Sequence, residues 1–403
     1  MAYCPSMKLL SSPRRLYIPA RGLATALALG FALLYSRQLG VTNRGYVAAI
    51  MTFSVVTLIL ITSGTTLTLR NLATKDEFFS YFYGFKTLIA IELSAALVLF
   101  VFEILAFSTF KNEIPNSLFL ISIIYFITCG MHLVSMEILI ALHKFKIASQ
   151  FEILTVIIQI TFFLLSSQAQ SVSIAARLLL SISAAYIIIS GLIVFNLWSS
   201  IGFWRRFSSP QHFIKKSKGN HSIGGVLGLV DRFDRVIISW LWPVSVLAQY
   251  SVMSSFIAFL RFIPDAYAKI IVSLKIEKSG YLQSKRFLLG ILAVCTLVVL
   301  IFLSRVLIER LLGPAWLLPL GVSVLFAIQE LARGRFQVSG TVKISLGNSA
   351  ATHRASLFLG LFAIPLSIIA TLLLGVYGVP LGFILTYVTL LYFLNYRKVV
   401  EVV

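Results

Sequence analysis

Charge is scarce along this chain, and negative charge scarcest: 12% of the 403 residues are charged, 14 of them acids against 34 lysines and arginines. Cysteines number 3 (Cys4, Cys129 and Cys295) and histidines 5, with no CxxC spacing and no His-Cys cluster. Neither a disulfide framework nor a metal site is therefore expected, and the cysteines read as small apolar residues. Missing too are a Ser/His/Asp arrangement, an HExxH helix and a glycine loop that cradles phosphate. The connections poor in basic residues are short, with Glu113 and Glu309 their obvious acids. A membrane glycosyl- or acyltransferase or polymerase needs a sizeable loop bearing catalytic acids, His or Arg, so that reading is disfavoured. No cofactor is expected.

What the chain has is hydrocarbon. Hydrophobic residues make up 59% of it and the mean hydropathy is +0.95, far outside the range of soluble domains. At about 20 residues per crossing, the apolar runs predict roughly twelve spans: 18–38, 46–69, 84–109, 116–141, 147–167, 171–197, 222–242, 245–268, 287–307, 315–335, 355–374 and 376–396. The fold class expected is an all-α polytopic membrane bundle. The basic excess follows the membrane rather than a nucleic acid. Most of it, from Lys8, Arg14 and Arg15 through Lys275 to Arg333 and Arg397, falls at the termini and after even-numbered spans, while the opposite connections carry Arg37, Arg44, Lys111, Arg305 and Arg310. Positive residues stay inside, so both termini are expected in the cytoplasm, with the first run an uncleaved span. The connection 199–221 interleaves Phe203, Trp204, Phe207 and Phe213 with Arg205, Arg206, Lys215, Lys216 and Lys218. It suits anionic membrane lipids and divides the chain into a six-span lobe 1–198 and a second lobe 222–403.

Within the apolar run 223–242 stands Asp-Arg-Phe-Asp-Arg, Asp231 to Arg235. Four charges at roughly 2.5 to 3.5 kcal/mol each would cost on the order of 10 kcal/mol if exposed to lipid, so they face protein or water. At 100° per residue Asp231, Asp234 and Arg235 share a face flanked by Arg232, and Val226, Val230, Phe233 and Ile237 form the opposite, lipid-compatible face. Arg21 lies in span one, Arg261 and Asp265 in span eight. Two readings stand. Either Arg21, Arg232, Arg235 and Arg261 line a cationic cavity suited to phosphate oxygens, or they are neutralised by Asp231, Asp234 and Asp265, with Arg21 snorkelling to the inner headgroups. Glu92, in span three, is either a proton- or sodium-coupling carboxyl, as Asp265 is, or a hydrogen-bonded interior glutamate. His132 reads as a core histidine, and Pro264, Pro365 and Pro380 as helix bends.

From Tyr35 to Gly64 the chain reads YSRQLGVTNRGYVAAIMTFSVVTLILITSG. Arg37, Leu39 and Gly40 form an Arg-x-Leu-Gly turn, after which Gly45 and Tyr46 open span two. In the second half an aspartate of span seven, Asp231 or Asp234, precedes a turn and Tyr250. Pro264 then stands near the end of span eight, and GVYGVPLG runs from Gly375 to Gly382. In these features the chain resembles the polysaccharide-transporter branch, O-antigen flippase type, of the multidrug/oligosaccharidyl-lipid/polysaccharide (MOP) exporter superfamily. The resemblance implies about 12 transmembrane helices in two six-helix lobes with a MOP/MATE-like V shape. It also implies transfer of undecaprenyl-diphosphate-linked oligosaccharide across a bacterial inner membrane, beside polysaccharide polymerase and chain-length machinery. The lipid II branch usually has two more spans. The cation-coupled multidrug branch, the alternative, usually carries acids in span one, where this chain has Arg21.

Overall fold

In a membrane each backbone N–H and C=O must be satisfied within its own segment or by a closed barrel, and this chain uses helices alone among its described residues. The computed structural model describes residues 17–73, 78–110, 114–142, 144–166, 173–200, 217, 232–257, 299, 301–345 and 349–400. The first lobe comprises α1 (Tyr17–Ala73), α2 (Phe78–Phe110), α3 (Asn116–Ala141), α4 (Phe145–Leu165) and α5 (Ile174–Ser200). The second contains helices 232–241, Val244–Ile257, 301–312, Leu320–Ser345, Ser349–Leu374 and Gly378–Val400. The expected linker 199–221 lies almost wholly outside the described residues.

Helix α1 holds two spans, broken at Gly40, whose φ of 71° and ψ of 171° fall in a region essentially reserved for glycine. The Arg-x-Leu-Gly turn is thus a hinge of one residue, and 41–45 are already helical. Other reversals gather at the same end of the bundle. Trp242 lies 3.6 Å from where a Cβ on Gly375 would be, and Gln249 Nε2 donates to the Ala315 carbonyl at 2.7 Å. Pro365 sits inside its helix, but Pro380 occupies the first turn of Gly378–Val400, where its missing N–H costs nothing, so the bend expected there is absent.

The exterior is apolar and the interior partly polar, the inverse of a soluble protein. Phe195 and Leu373 are each 77% exposed, whereas Ser36, Ser54, Thr57 and Thr65 are fully buried. This is a multi-pass membrane protein. Aromatic pairs fix the inter-helix contacts: Phe100 stacks on Phe126 at 4.5 Å, tying α2 to α3, and Phe53 meets Phe107 edge to face at 5.3 Å, tying α1 to α2.

Candidate functional site

The charged run enters the described residues at Arg232; Asp231, Arg261 and Asp265 lie outside them. Helix 232–241 forms a seam between the lobes. Arg232, half-buried, carries its charge toward Tyr125 and Cys129 of α3 and Tyr186 of α5. Arg235 neighbours Arg44 of α1. Trp240 meets Phe107 of α2 edge to face, with centroids 6.4 Å apart. All three reach the first lobe, and the charge of Arg235 acts also on Tyr250 of its own lobe.

Asp234 is anchored in its own lobe. It is 2% exposed and accepts hydrogen bonds from the Tyr250 hydroxyl and from the backbone N–H of Arg235, both at 2.8 Å. A hydroxyl and an amide hold the Asp234 carboxylate, and the charge of Arg235 acts on the same Tyr250. Of the lipid-compatible side of this helix, Phe233 and Ile237 are described, and both lie inside the protein. Ile237 is 3% exposed and Phe233 packs on the central apolar cluster. A 3.6-residue polarity pattern separates two faces without saying which touches lipid.

Tyr250 connects Asp234 to a second polar group. Its ring lies 4.5 Å from that of Phe326, and Glu330 is near enough for its charge to act on the phenol. Glu330, 5% exposed, accepts from Arg333 Nη1 at 3.0 and 3.3 Å, one turn along Leu320–Ser345. Arg333 thus belongs inside a helix, 2% exposed, rather than to a cytoplasmic connection. Across the seam, Tyr186 is within hydrogen-bonding reach of Tyr125 and Gln159, and His132 stacks on it at 4.4 Å and 12°. The wall facing Arg232 is aromatic and hydroxyl-bearing, with His132 part of its packing.

The remaining candidates lie apart from this group. Arg21 Nη1 is 4.0 Å from Glu152 Oε1 of α4, both about one-fifth exposed. It sits about 28 Å along α1 from Gly40 at 1.5 Å per residue. Glu92 is 6% exposed and accepts from the Thr65 hydroxyl at 2.5 Å, the geometry of a hydrogen-bonded interior glutamate.

Arg44 was hidden from sequence reasoning. It follows the Gly40 break, looks like a loop residue, and is 4% exposed. Its guanidinium lies 4.8 Å over the Tyr35 ring and its Nε donates to Ser36 Oγ at 3.3 Å. Beside it, a Cβ on Gly45 would run into the Val244 carbonyl and stand 2.8 Å from Val244 Cβ. Only glycine permits that approach of α1 to the second lobe, which closes the Gly40 end of the seam. The Gly-Tyr of the opening motif carried the signal.

The fold is similar to that of solved transporters of the MOP superfamily. No family model and no curated protein matches the sequence. Among solved structures the chain is similar to an outward-facing multidrug resistance MATE family transporter of the MOP superfamily (TM-score 0.68, 13% identity, covering 96% of each chain). It is similar also to the lipid II flippase MurJ in an inward closed conformation (TM-score 0.66, 17% identity, covering 95% of this chain and 87% of that one). A third is a MOP superfamily transporter from Pyrococcus furiosus described by a reverse polarity of its binding pocket (TM-score 0.70, 12% identity, 98% of each chain).

Proposed function

We propose that the chain is a flippase that carries undecaprenyl-diphosphate-linked oligosaccharide from the inner to the outer leaflet of a bacterial inner membrane. Its lobes alternate in access, both termini are cytoplasmic, and the Gly40 end faces outward. The observation that carries this reading is the way the charged run divides its charges. Asp234 is tied back into the second lobe by Tyr250, while the charges of Arg232 and Arg235 reach residues of the first lobe across the seam. A diphosphate and its sugars cannot cross hydrocarbon without groups that replace their water. Guanidinium forks match phosphate oxygens and stay charged when partly desolvated. Arg21 and Arg261 extend the cationic path in the same proposal, with Asp231 and Asp234 positioning the arginines. Glu92 and Asp265 are the carboxyls offered for proton or sodium coupling.

Polymerase and chain-length proteins are the partners this role brings with it, and no bond is made or broken by the chain itself. The experiment is a comparison at equal expression. Arg235→Ala and Arg261→Ala are expected to reduce transfer of lipid-linked oligosaccharide in reconstituted vesicles far more than Lys275→Ala does. Equal activity in all three would assign the arginines to packing. Export of hydrophobic cations by the same vesicles would replace this reading with the cation-coupled multidrug one.

A further inference from the structure

Between α3 and α5 two rings lie flat against each other. His132 stacks on Tyr186 at 4.4 Å and 12°, and the Tyr125 ring stands 6.2 Å from Tyr186 at 41°. Both members of the stack are only half-buried, although each stands on a helix stripe that is otherwise covered. One turn either way from His132 are Thr128 and Cys129, 4% and 3% exposed, and Ser135 and Met136, both 7% exposed. Around Tyr186 the same positions are Ile182, Ser183, Ile189 and Ser190, none more than 3% exposed. Side chains three and four residues apart share a helix face. The surface left open on these rings is therefore reached from within the bundle and not from lipid. Packing alone would have closed it.

We propose that the His132–Tyr186 stack is a saccharide platform in the first lobe, on which one sugar ring of the transported oligosaccharide lies with its C–H face against the aromatic surface. The negative π face attracts weakly positive C–H groups. The platform is set before a ligand arrives, because the Tyr186 hydroxyl is within hydrogen-bonding reach of Tyr125, 1% exposed, and of Gln159 of α4, 9% exposed. A ring fixed from three helices loses little side-chain freedom on binding. The Gln159 amide has four hydrogen-bonding positions, so its bond to Tyr186 leaves capacity for a sugar hydroxyl or acetamido group at the edge of the stack. An apolar ligand would strand that capacity, whereas a sugar ring carries both kinds of surface. Stacking holds sugars as a class, and the polar edge discriminates among them. The platform deepens the flippase reading and rests on it for the identity of the natural ligand.

The test is saturation-transfer NMR of the methyl glycosides of glucose, galactose and N-acetylglucosamine, each at millimolar concentration, with the full-length protein in phosphatidylcholine nanodiscs. Transfer is expected to the ring C–H protons of at least one glycoside. Tyr186→Leu, which removes the aromatic face, should weaken binding by about fivefold or more, and Tyr186→Phe, which keeps the face, should stay nearer to wild type. Phe195→Leu, at a ring 77% exposed on the outside of α5, should bind as wild type. If Tyr186→Leu does not fold, His132→Leu decides, and unchanged affinity there overturns the proposal. No transfer to any glycoside in the wild type also overturns it. Transfer of lipid-linked oligosaccharide between leaflets, measured on the same wild-type preparation, separates the two failures: if it persists, the platform is lost and the flippase reading stands. Tetraphenylphosphonium bound in place of the glycosides, and released by Tyr186→Leu, would sink the platform and favour the multidrug reading.

Discussion

Replacing Gly45 by alanine tests the closed seam with a single methyl. The added Cβ would lie 2.7 Å from the Val244 carbonyl carbon and 2.8 Å from Val244 Cβ, whereas carbon atoms in good contact sit about 3.5 to 4.0 Å apart. The lobes must therefore retreat by about 1 Å at this point. The obstacle is backbone, which cannot swing aside as a side chain would. Overpacking of this kind costs about 1 to 3 kcal/mol, and only the shut Gly40 end bears it. The ratio of shut to open forms should then fall by about 5- to 150-fold. Helix propensity runs the other way, since alanine in a helix is favoured over glycine by about 0.5 to 1 kcal/mol, so a melting temperature is the wrong readout. The assay is electron-electron distance measurement between spin labels on Gln38 and Leu311, both exposed at this end, after removal of the native cysteines. Gly45→Ala should enlarge the long-distance population at the expense of the short one. An unchanged distribution would refute the claim that this contact holds the seam.

Three further outcomes follow from individual contacts. Tyr250→Phe removes the hydroxyl that donates to Asp234 at 2.8 Å and leaves a buried carboxylate short of a donor. A loss of about 1.5 to 3 kcal/mol in unfolding free energy is expected, read from denaturant midpoints, and Tyr250→Trp should not restore it. Glu330→Ala removes the carboxylate that the buried Arg333 guanidinium meets at 3.0 Å and should destabilise by about 3 to 5 kcal/mol; a change below about 0.5 kcal/mol in the same assay would show the pair to be idle. Gly40→Ala forces a side chain onto a φ of 71°, costing about 1 to 3 kcal/mol, and hydrogen exchange in residues 36–44 should rise relative to wild type.

Much of this is legible in the sequence. The apolar runs gave helices, and the Arg-x-Leu-Gly turn and the Gly-Tyr that opens span two fell where the structure has a helix break at Gly40 and a close approach at Gly45. Asp234 and Tyr250, noted as motif positions, proved to be hydrogen-bond partners. What stayed hidden has a common physical cause. Hydropathy assigns a charged residue near a span end to a loop, yet helices continue past the hydrocarbon and neighbouring helices cover them. Arg44 and Arg333 were both misplaced in this way, and both are buried in helices. Periodicity likewise split helix 232–241 into two faces correctly, but only tertiary packing shows that Ile237 is enclosed. The aromatic wall of Tyr125, Tyr186 and His132 comes from helices distant in sequence, and no local pattern announces it.

The central claim is that the seam moves a lipid-linked diphosphate. The most direct measurement is the leaflet distribution of undecaprenyl-diphosphate-linked repeat units in cells depleted of this protein and complemented with wild type or with Arg235→Ala. The account predicts accumulation on the inner leaflet upon depletion, cured by wild type and not by Arg235→Ala. Normal surface polysaccharide with no accumulated intermediate in the depleted cells would contradict it.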